Sequence, residues 1–116
     1  MITHPNLVAA LVKPADILHS ELTPSDANLI HMTMGVSGEA GELLDAIKKG
    51  VIYRKPLDRA NIVEELGELE FYLEGLRQEL CITREECLDA NIAKLSERYK
   101  KLTFSNAAAI AREDKQ

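Results

Sequence analysis

Apolar residues recur along this chain at intervals of three and four, the spacing of one face of an α-helix. Two long stretches carry this pattern. The first apolar stripe consists of Leu29, Val36, Ala40, Leu43 and Ile47, and the second consists of Ile62, Leu66, Leu69, Leu73, Leu76 and Leu80. No stretch of useful length alternates with a period of two, so the pattern predicts an all-α protein without strands.

Capping and breaking residues set the expected bounds of the helices. Thr23 can cap a helix that has Pro24 at its first position, and Gly50 is a typical stop after Lys49. Thr83 and Glu86 form the capping box of a later helix. The predicted helices are, in chain order, 6–12, 15–22, 24–49, 59–80, 84–101 and a short turn over 105–111, followed by a frayed tail over 112–116.

The short connection between the second and third long helices predicts an antiparallel hairpin. The expected architecture is therefore a single domain over 1–116, an antiparallel bundle of three main helices with short terminal helices. Three helices cannot cover both apolar stripes, so a second copy should complete a four-helix type of core. The apolar pattern therefore predicts a homo-oligomer.

Composition narrows the class of function. The 116 residues carry a net charge of −5, which argues against nucleic acid and, more weakly, against an anionic membrane as partner. No apolar run reaches the ~20 residues that span a bilayer, and no basic leader precedes the first apolar patch, so we expect a cytoplasmic protein. Cys81 and Cys87 are then expected to stay reduced.

The acidic residues are unevenly placed, with ten of the thirteen glutamates between Glu39 and Glu86. Glu39 and Glu42 are three residues apart, as are Glu65 and Glu68, and each pair lies on the same side of its apolar stripe. The four carboxylates should therefore meet at the edge of the packed stripes, where repulsion favours a hard divalent cation such as Mg²⁺, Mn²⁺ or Ca²⁺. The alternative is four solvated helix glutamates.

These residues and their surroundings resemble one enzyme family. Glu39-x-x-Glu42 is followed, after 22 residues, by Glu65-x-x-Glu68, with glycines beside both pairs. A third segment, Asn91-x-x-Lys94-x-x-x-Arg98, lies in the predicted third helix. This arrangement, over roughly 25–112, resembles the MazG-type all-α nucleoside triphosphate pyrophosphohydrolases, whose pattern is E-x-x-E and then E-x-x-D. Glu68 departs from that pattern, because the family usually has Asp there.

The resemblance implies hydrolysis of a nucleoside or deoxynucleoside triphosphate to the monophosphate and pyrophosphate, with Mg²⁺ as cofactor and Mn²⁺ as a substitute. It implies that one or two metal ions are held by Glu39, Glu42, Glu65 and Glu68. Glu42 would orient or deprotonate the attacking water. A catalytically inactive helical module for oligomerisation or nucleotide binding is the alternative function.

The resemblance also implies a set of substrate-binding residues. Asn91, Lys94 and Arg98 share one helix face and would bind the β- and γ-phosphates. Lys49 would add positive charge, or would only favour the C-terminus of its helix. His31 would lie by the base or sugar, or have a structural role. No residue selects one base.

Gly35, Gly38 and Gly41 lie inside the first long helix, where each glycine costs about 1 kcal/mol relative to alanine. Their bare backbone would leave room for substrate, or would allow another helix to pack closely. Tyr72 follows Glu68 by one helical turn and would contact the base or pack in the core.

Overall fold

The structure is a computed structural model that describes residues 1–112. Within this range every regular element is an α-helix, as the apolar spacing predicts. The helices are α1 (His4–Leu11), α2 (Ala15–Glu21), α3 (Pro24–Val51), α4 (Arg59–Leu80), α5 (Arg84–Arg98) and α6 (Asn106–Ala111). The all-α fold class is therefore confirmed. Most of the predicted frayed tail, 113–116, lies outside the described residues.

Side chains at the helix starts explain where the helices begin. Thr23 and Thr83 each accept a backbone hydrogen bond three residues on, from Asp26 and Glu86, whose carboxylates return the bond in a capping box. Asp58 caps α4 by accepting from the backbone of Asn61 at 3.1 Å. These bonds satisfy backbone donors that have no partner inside the helix.

Helix α3 ends later than its sequence predicts. Gly50 is buried inside the last turn, and the helix continues to Val51. A β-carbon on Gly50 would overlap the Leu57 side chain, so glycine is needed here for close approach of the connecting loop. The chain turns at Arg54, which is left-handed with φ 55°, and the backbone N–H of Lys55 bonds back to the Gly50 carbonyl at 3.0 Å.

Extensive helix packing joins α3 and α4, which form an antiparallel hairpin. This packing of the two apolar stripes agrees with the prediction. The predicted hairpin of α4 and α5 is wrong for one copy, because within residues 1–112 α5 does not pack along α4 and contacts mainly α6. Cys81 ends α4 in a left-handed conformation, and the extended Thr83 then starts α5. The three-helix antiparallel arrangement is thus not formed in one copy, and the apolar residues Leu88, Ile92 and Leu95 of α5 remain exposed.

Candidate active site

Glu39 and Glu65 lie in the apolar interface between α3 and α4, which we call the seam. The half-buried and buried positions of α3 include Leu29, Met32, Val36, Glu39, Leu43, Ala46, Ile47 and Gly50, and those of α4 include Ile62, Glu65, Leu69, Tyr72, Leu73 and Leu76. The predicted stripes had Ala40 and Leu66 at these levels, but both are exposed. Apart from these two and Leu80, the predicted stripe residues are half-buried, so the stripes face the seam as predicted and the two acids enter it beside them.

Three close contacts fix the register of the hairpin. Gly35 meets the Tyr72 ring, Gly75 meets the Met32 sulfur, and Gly50 meets Leu57. Glu39 follows Gly35 by four residues, and Glu68 precedes Tyr72 by four, so this register places Glu39 level with Glu68. It places Glu42 level with Glu65 in the same way. The four predicted carboxylates thus lie on two adjacent levels of one helix pair.

The Glu65 carboxyl has an unusual electrostatic environment. A hydrogen bond with Glu39, partial burial and the negative charges of Glu39, Glu42 and Glu64 together raise the pKa of Glu65 to about 7. One oxygen of this group, Oε2, is buried and has no hydrogen-bond partner among the described residues. A buried acceptor without a partner is costly, so this oxygen is suited to a ligand that the chain itself does not supply.

A divalent cation fits this oxygen chemically, because carboxylate oxygens are the donors that Mg²⁺ prefers. Glu39 and Glu65 would hold the ion from the seam, and Glu42 and Glu68 are exposed beside them. Within residues 1–112, however, no three acidic, histidine or cysteine side chains stand close enough to form a ready-made metal site. Completing such a set requires Glu42 or Glu68 to change its side-chain conformation, which exposure permits.

Lys49 and His31 lie on the same side of α3 as Glu42. The Lys49 ammonium pairs with the Asp45 carboxylate at 2.9 Å, and both side chains are exposed. Asp45, and more weakly Glu42, raise the pKa of Lys49 above its ordinary value. The His31 ring packs edge-on against Tyr72 with centroids 6.3 Å apart. Both residues therefore have partners within the chain, and their roles toward a substrate stay predictions.

The glycines of α3 divide into two kinds. A β-carbon on Gly35 would overlap the Tyr72 ring, so Gly35 and the half-buried Tyr72 serve close helix packing. A β-carbon on Gly38 or Gly41 would meet nothing within 4 Å, so neither glycine is required for packing within this chain. Gly35 therefore serves close helix packing, and room for substrate at Gly38 and Gly41 stays a prediction.

Asn91, Lys94 and Arg98 are not brought to the carboxylates in the described chain. They lie on α5, where Asn91 and Lys94 are exposed and Arg98 is half-buried near the start of α6. Because α5 does not pack on the hairpin, any joining of these residues with the glutamates depends on a different placement of α5 or on a second copy.

Sequence reasoning missed a cavity of about 550 Å³ at the far end of the seam, lined by residues that include Asn28, Met32, Phe71 and Gln78. Amide, thioether and phenyl side chains form no recognised motif, which is why they were overlooked. A signal was nevertheless present, since Asn28, Gly35 and Glu42 recur every seven residues and hence lie along one line of α3.

Comparison with known proteins identifies a family for this chain. Residues 28–103 match the profile of the MazG nucleotide pyrophosphohydrolase domain. The Gene 37 protein of Mycobacterium phage L5 is 33% identical over 76 residues, which cover 60% of this chain and 65% of that protein. The chain thus spans less than two thirds of that relative's length. No solved structure matches the present chain. No helix in residues 1–112 is long and apolar enough to cross a membrane. Because the match includes α4, α5 and most of α3, the chain belongs to the MazG nucleotide pyrophosphohydrolase domain family.

Proposed function

We propose that the protein hydrolyses a nucleoside or deoxynucleoside triphosphate to the monophosphate and pyrophosphate in the presence of Mg²⁺. The observation that carries the proposal is the Glu39–Glu65 pair, in which one buried oxygen lacks a partner. Two acids in an apolar seam weaken the isolated protein, so their placement is best explained by a cation that neutralises them. Membership of the family supplies the reaction class.

The metal would be held by Glu39, Glu42, Glu65 and Glu68. When bound, Mg²⁺ would neutralise the carboxylates and the substrate phosphate oxygens and make water a better nucleophile. Glu42 would orient a water molecule and accept its proton as the water oxygen bonds to the α-phosphorus. The bond from that phosphorus to the bridging oxygen would break, and pyrophosphate would leave with the electron pair.

Cationic and amide side chains would bind the phosphate tail. Lys49 lies two helical turns beyond Glu42 on the same line of α3 and can reach the leaving group by releasing Asp45. We propose that Asn91, Lys94 and Arg98 join the site when α5 packs against a hairpin in a homodimer or dimer of dimers. His31, which precedes Gly35 by one helical turn, would lie nearer to the sugar or base than to the phosphates.

Release of pyrophosphate from the common ribo- and deoxyribonucleoside triphosphates, with Mg²⁺ and with a chelator, tests the proposal. We expect metal-dependent release from at least one substrate, and we expect Mn²⁺ to substitute. Glu42→Gln should lower kcat by about 100-fold or more, the contribution of a general base. Glu70→Gln, an exposed acid of α4 near Arg77, is the control and should keep normal turnover. If pyrophosphate is released from none of these substrates, the proposed enzymatic activity is wrong.

A second function, a nucleotide-binding module without catalysis, is favoured by two observations. The described residues hold no ready-made set of three metal-binding side chains, and Glu68 replaces the usual Asp. Nucleotide binding that persists with and without Mg²⁺, without pyrophosphate release, would support this module over the enzyme.

A further inference from the structure

The cavity beyond the carboxylates lies on the same edge of the seam as the exposed member of each acidic pair. On α4, Glu68, Phe71, Gly75 and Gln78 follow one another at intervals of three and four, so they share one side of the helix. On α3, Asn28 lies along the line of Gly35 and Glu42. A ligand held at the carboxylates can therefore extend into the cavity without crossing either helix.

The spacing between the two features suits a nucleotide. Met32 and Gly75 meet at the cavity. Met32 lies seven residues before Glu39, and Gly75 lies seven residues after Glu68, so each is about 10 Å from its glutamate along the helix axis. A nucleoside whose phosphates lie at the carboxylates can reach across such a distance. The cavity volume of about 550 Å³ lies within the range of small-molecule sites.

The lining of the cavity matches a base and a sugar rather than a phosphate. Phe71 is 65% exposed, and Tyr72 supports its ring from the side, at an angle of 89° with centroids 5.1 Å apart. Its ring can therefore stack on a base. The half-buried Asn28 amide lines the cavity and offers both a donor and an acceptor.

Charge along the hairpin gives the ligand a direction. Glu74 and Glu79 line the cavity, and Glu74 is held by Arg77 at 2.8 Å and accepts a bond from the Gln78 amide at 3.3 Å. These carboxylates repel a phosphate tail but can accept hydrogen bonds from sugar hydroxyls or base amino groups. The opposite end of the hairpin is basic, with five cations and one acid between Lys48 and Arg59.

We infer that the cavity at Asn28, Met32, Phe71 and Gln78 receives the nucleoside part of the substrate and that the phosphate tail points toward the basic turn. The inference rests on the proposed function for placing the phosphates at the carboxylates. It goes beyond that function by assigning the nucleoside to a site that no motif marks and by fixing the orientation of the substrate along the seam.

Binding of reaction products tests the inference without requiring turnover. Nucleoside monophosphates and inorganic pyrophosphate are titrated separately into the full ¹⁵N-labelled chain, and the side-chain amide signals of Asn28 and Gln78 are followed by NMR. Asn28→Ala and Gln78→Ala assign these signals by their loss. We expect at least one monophosphate to shift both amide signals and pyrophosphate to leave them in place. A set of monophosphates that moves neither signal would overturn the inference.

Phe71→Ala then measures the aromatic contact. The monophosphate Kd should rise by about tenfold, the usual effect of losing one base–aromatic stack, while pyrophosphate binding should not change. Leu66→Ala, on the opposite side of α4, is the matched control and should change neither Kd. Phe71→Leu keeps apolar bulk without a ring and replaces Phe71→Ala if that variant unfolds. An unchanged monophosphate Kd in the folded ring-free variant would overturn the inference.

The two proposals fail in different ways. Monophosphates could shift the amide signals and bind more weakly to Phe71→Ala while no triphosphate is hydrolysed. In that case the proposed hydrolysis is wrong and the nucleoside site stands. If triphosphates are hydrolysed and Phe71→Ala leaves both KM and the monophosphate Kd unchanged, the hydrolysis stands and the nucleoside site is wrong.

Discussion

The Glu39–Glu65 pair shows how one residue position carries both the fold and the proposed chemistry. Leu43 and Ala46 continue the apolar seam beyond Glu39, so the acid occupies a place that packing alone would give to an apolar side chain. The sequence predicted that the acids would cluster, because the i, i+3 spacing is local information. It did not predict which acid of each pair enters the seam, because the rotation of each helix is set by contacts such as Gly35 with Tyr72.

This pair predicts a pH dependence of stability in the metal-free protein. The Glu65 pKa is about 7 in the folded chain against an ordinary 4.5. Between these values the folded state holds a proton that the unfolded state has released, so this group makes the free energy of unfolding fall as pH rises. Glu65→Gln cannot ionise and should gain stability relative to the parent protein as pH rises through this window.

Urea unfolding with a chelator present, at about pH 5 and about pH 8, measures the effect. We expect the difference in unfolding free energy between Glu65→Gln and the parent to favour the variant more strongly at the higher pH. The control is Asp89→Asn, which replaces an exposed acid of α5. Its difference in unfolding free energy from the parent should be the same at both pH values. A difference for Glu65→Gln that does not change with pH would show that the acid pair does not share a proton.

At the scale of helices, caps were predictable and packing was predictable only in part. Asp58, Thr83 and Ser105 cap within three residues of themselves, so their neighbours in sequence determine the helix starts. Helix α5 ends at Arg98, although the prediction extended it to 101. The apolar stripes correctly indicated that α3 and α4 pack together, whereas loop length alone wrongly paired α5 with α4 in one copy, because that packing depends on contacts between distant residues.

Close approach of α3 and α4 at Gly35 yields a prediction with a control in the same helix. Gly35→Ala gains about 1 kcal/mol of helix propensity, but its β-carbon overlaps the Tyr72 ring and overpacking costs typically about 1–3 kcal/mol. We expect a net loss of stability. Gly38→Ala meets open space and should raise the unfolding free energy by up to about 1 kcal/mol. Urea unfolding of both variants tests this, and equal effects would contradict the register.

The whole chain exposes more surface than a folded monomer of its size. Its accessible area is 9406 Å², against about 6300 Å² expected for 12.9 kDa, and its radius of gyration is 20.2 Å, against about 13 Å for a compact domain. Ala46 is the only apolar residue in 1–112 that is buried outright. One copy therefore forms a hairpin with further helices attached, and it does not cover enough of its own apolar surface to close a core.

A second apolar stripe on the outer face of α3 identifies where another copy would pack. Ile30, Met34 and Leu44 are exposed and are spaced, with Gly41, at intervals typical of a helix-packing face. The excess of about 3100 Å² is large enough for a stable interface. We therefore expect the protein to form at least a dimer.

Analytical ultracentrifugation at micromolar concentration should give at least twice the chain mass of 12.9 kDa. Leu44→Glu should raise the dissociation constant by about 100-fold or more, because two copies would each bring an unpaired carboxylate into a desolvated contact. Ser25→Glu adds the same charge at an exposed position near the start of α3 and should leave the mass unchanged. A parent protein that sediments as a monomer would contradict the prediction and would also deprive α5 of its proposed route to the carboxylates. If Leu44→Glu alone becomes monomeric and loses both stability and nucleotide hydrolysis, the core and the active site depend on the same contact between copies.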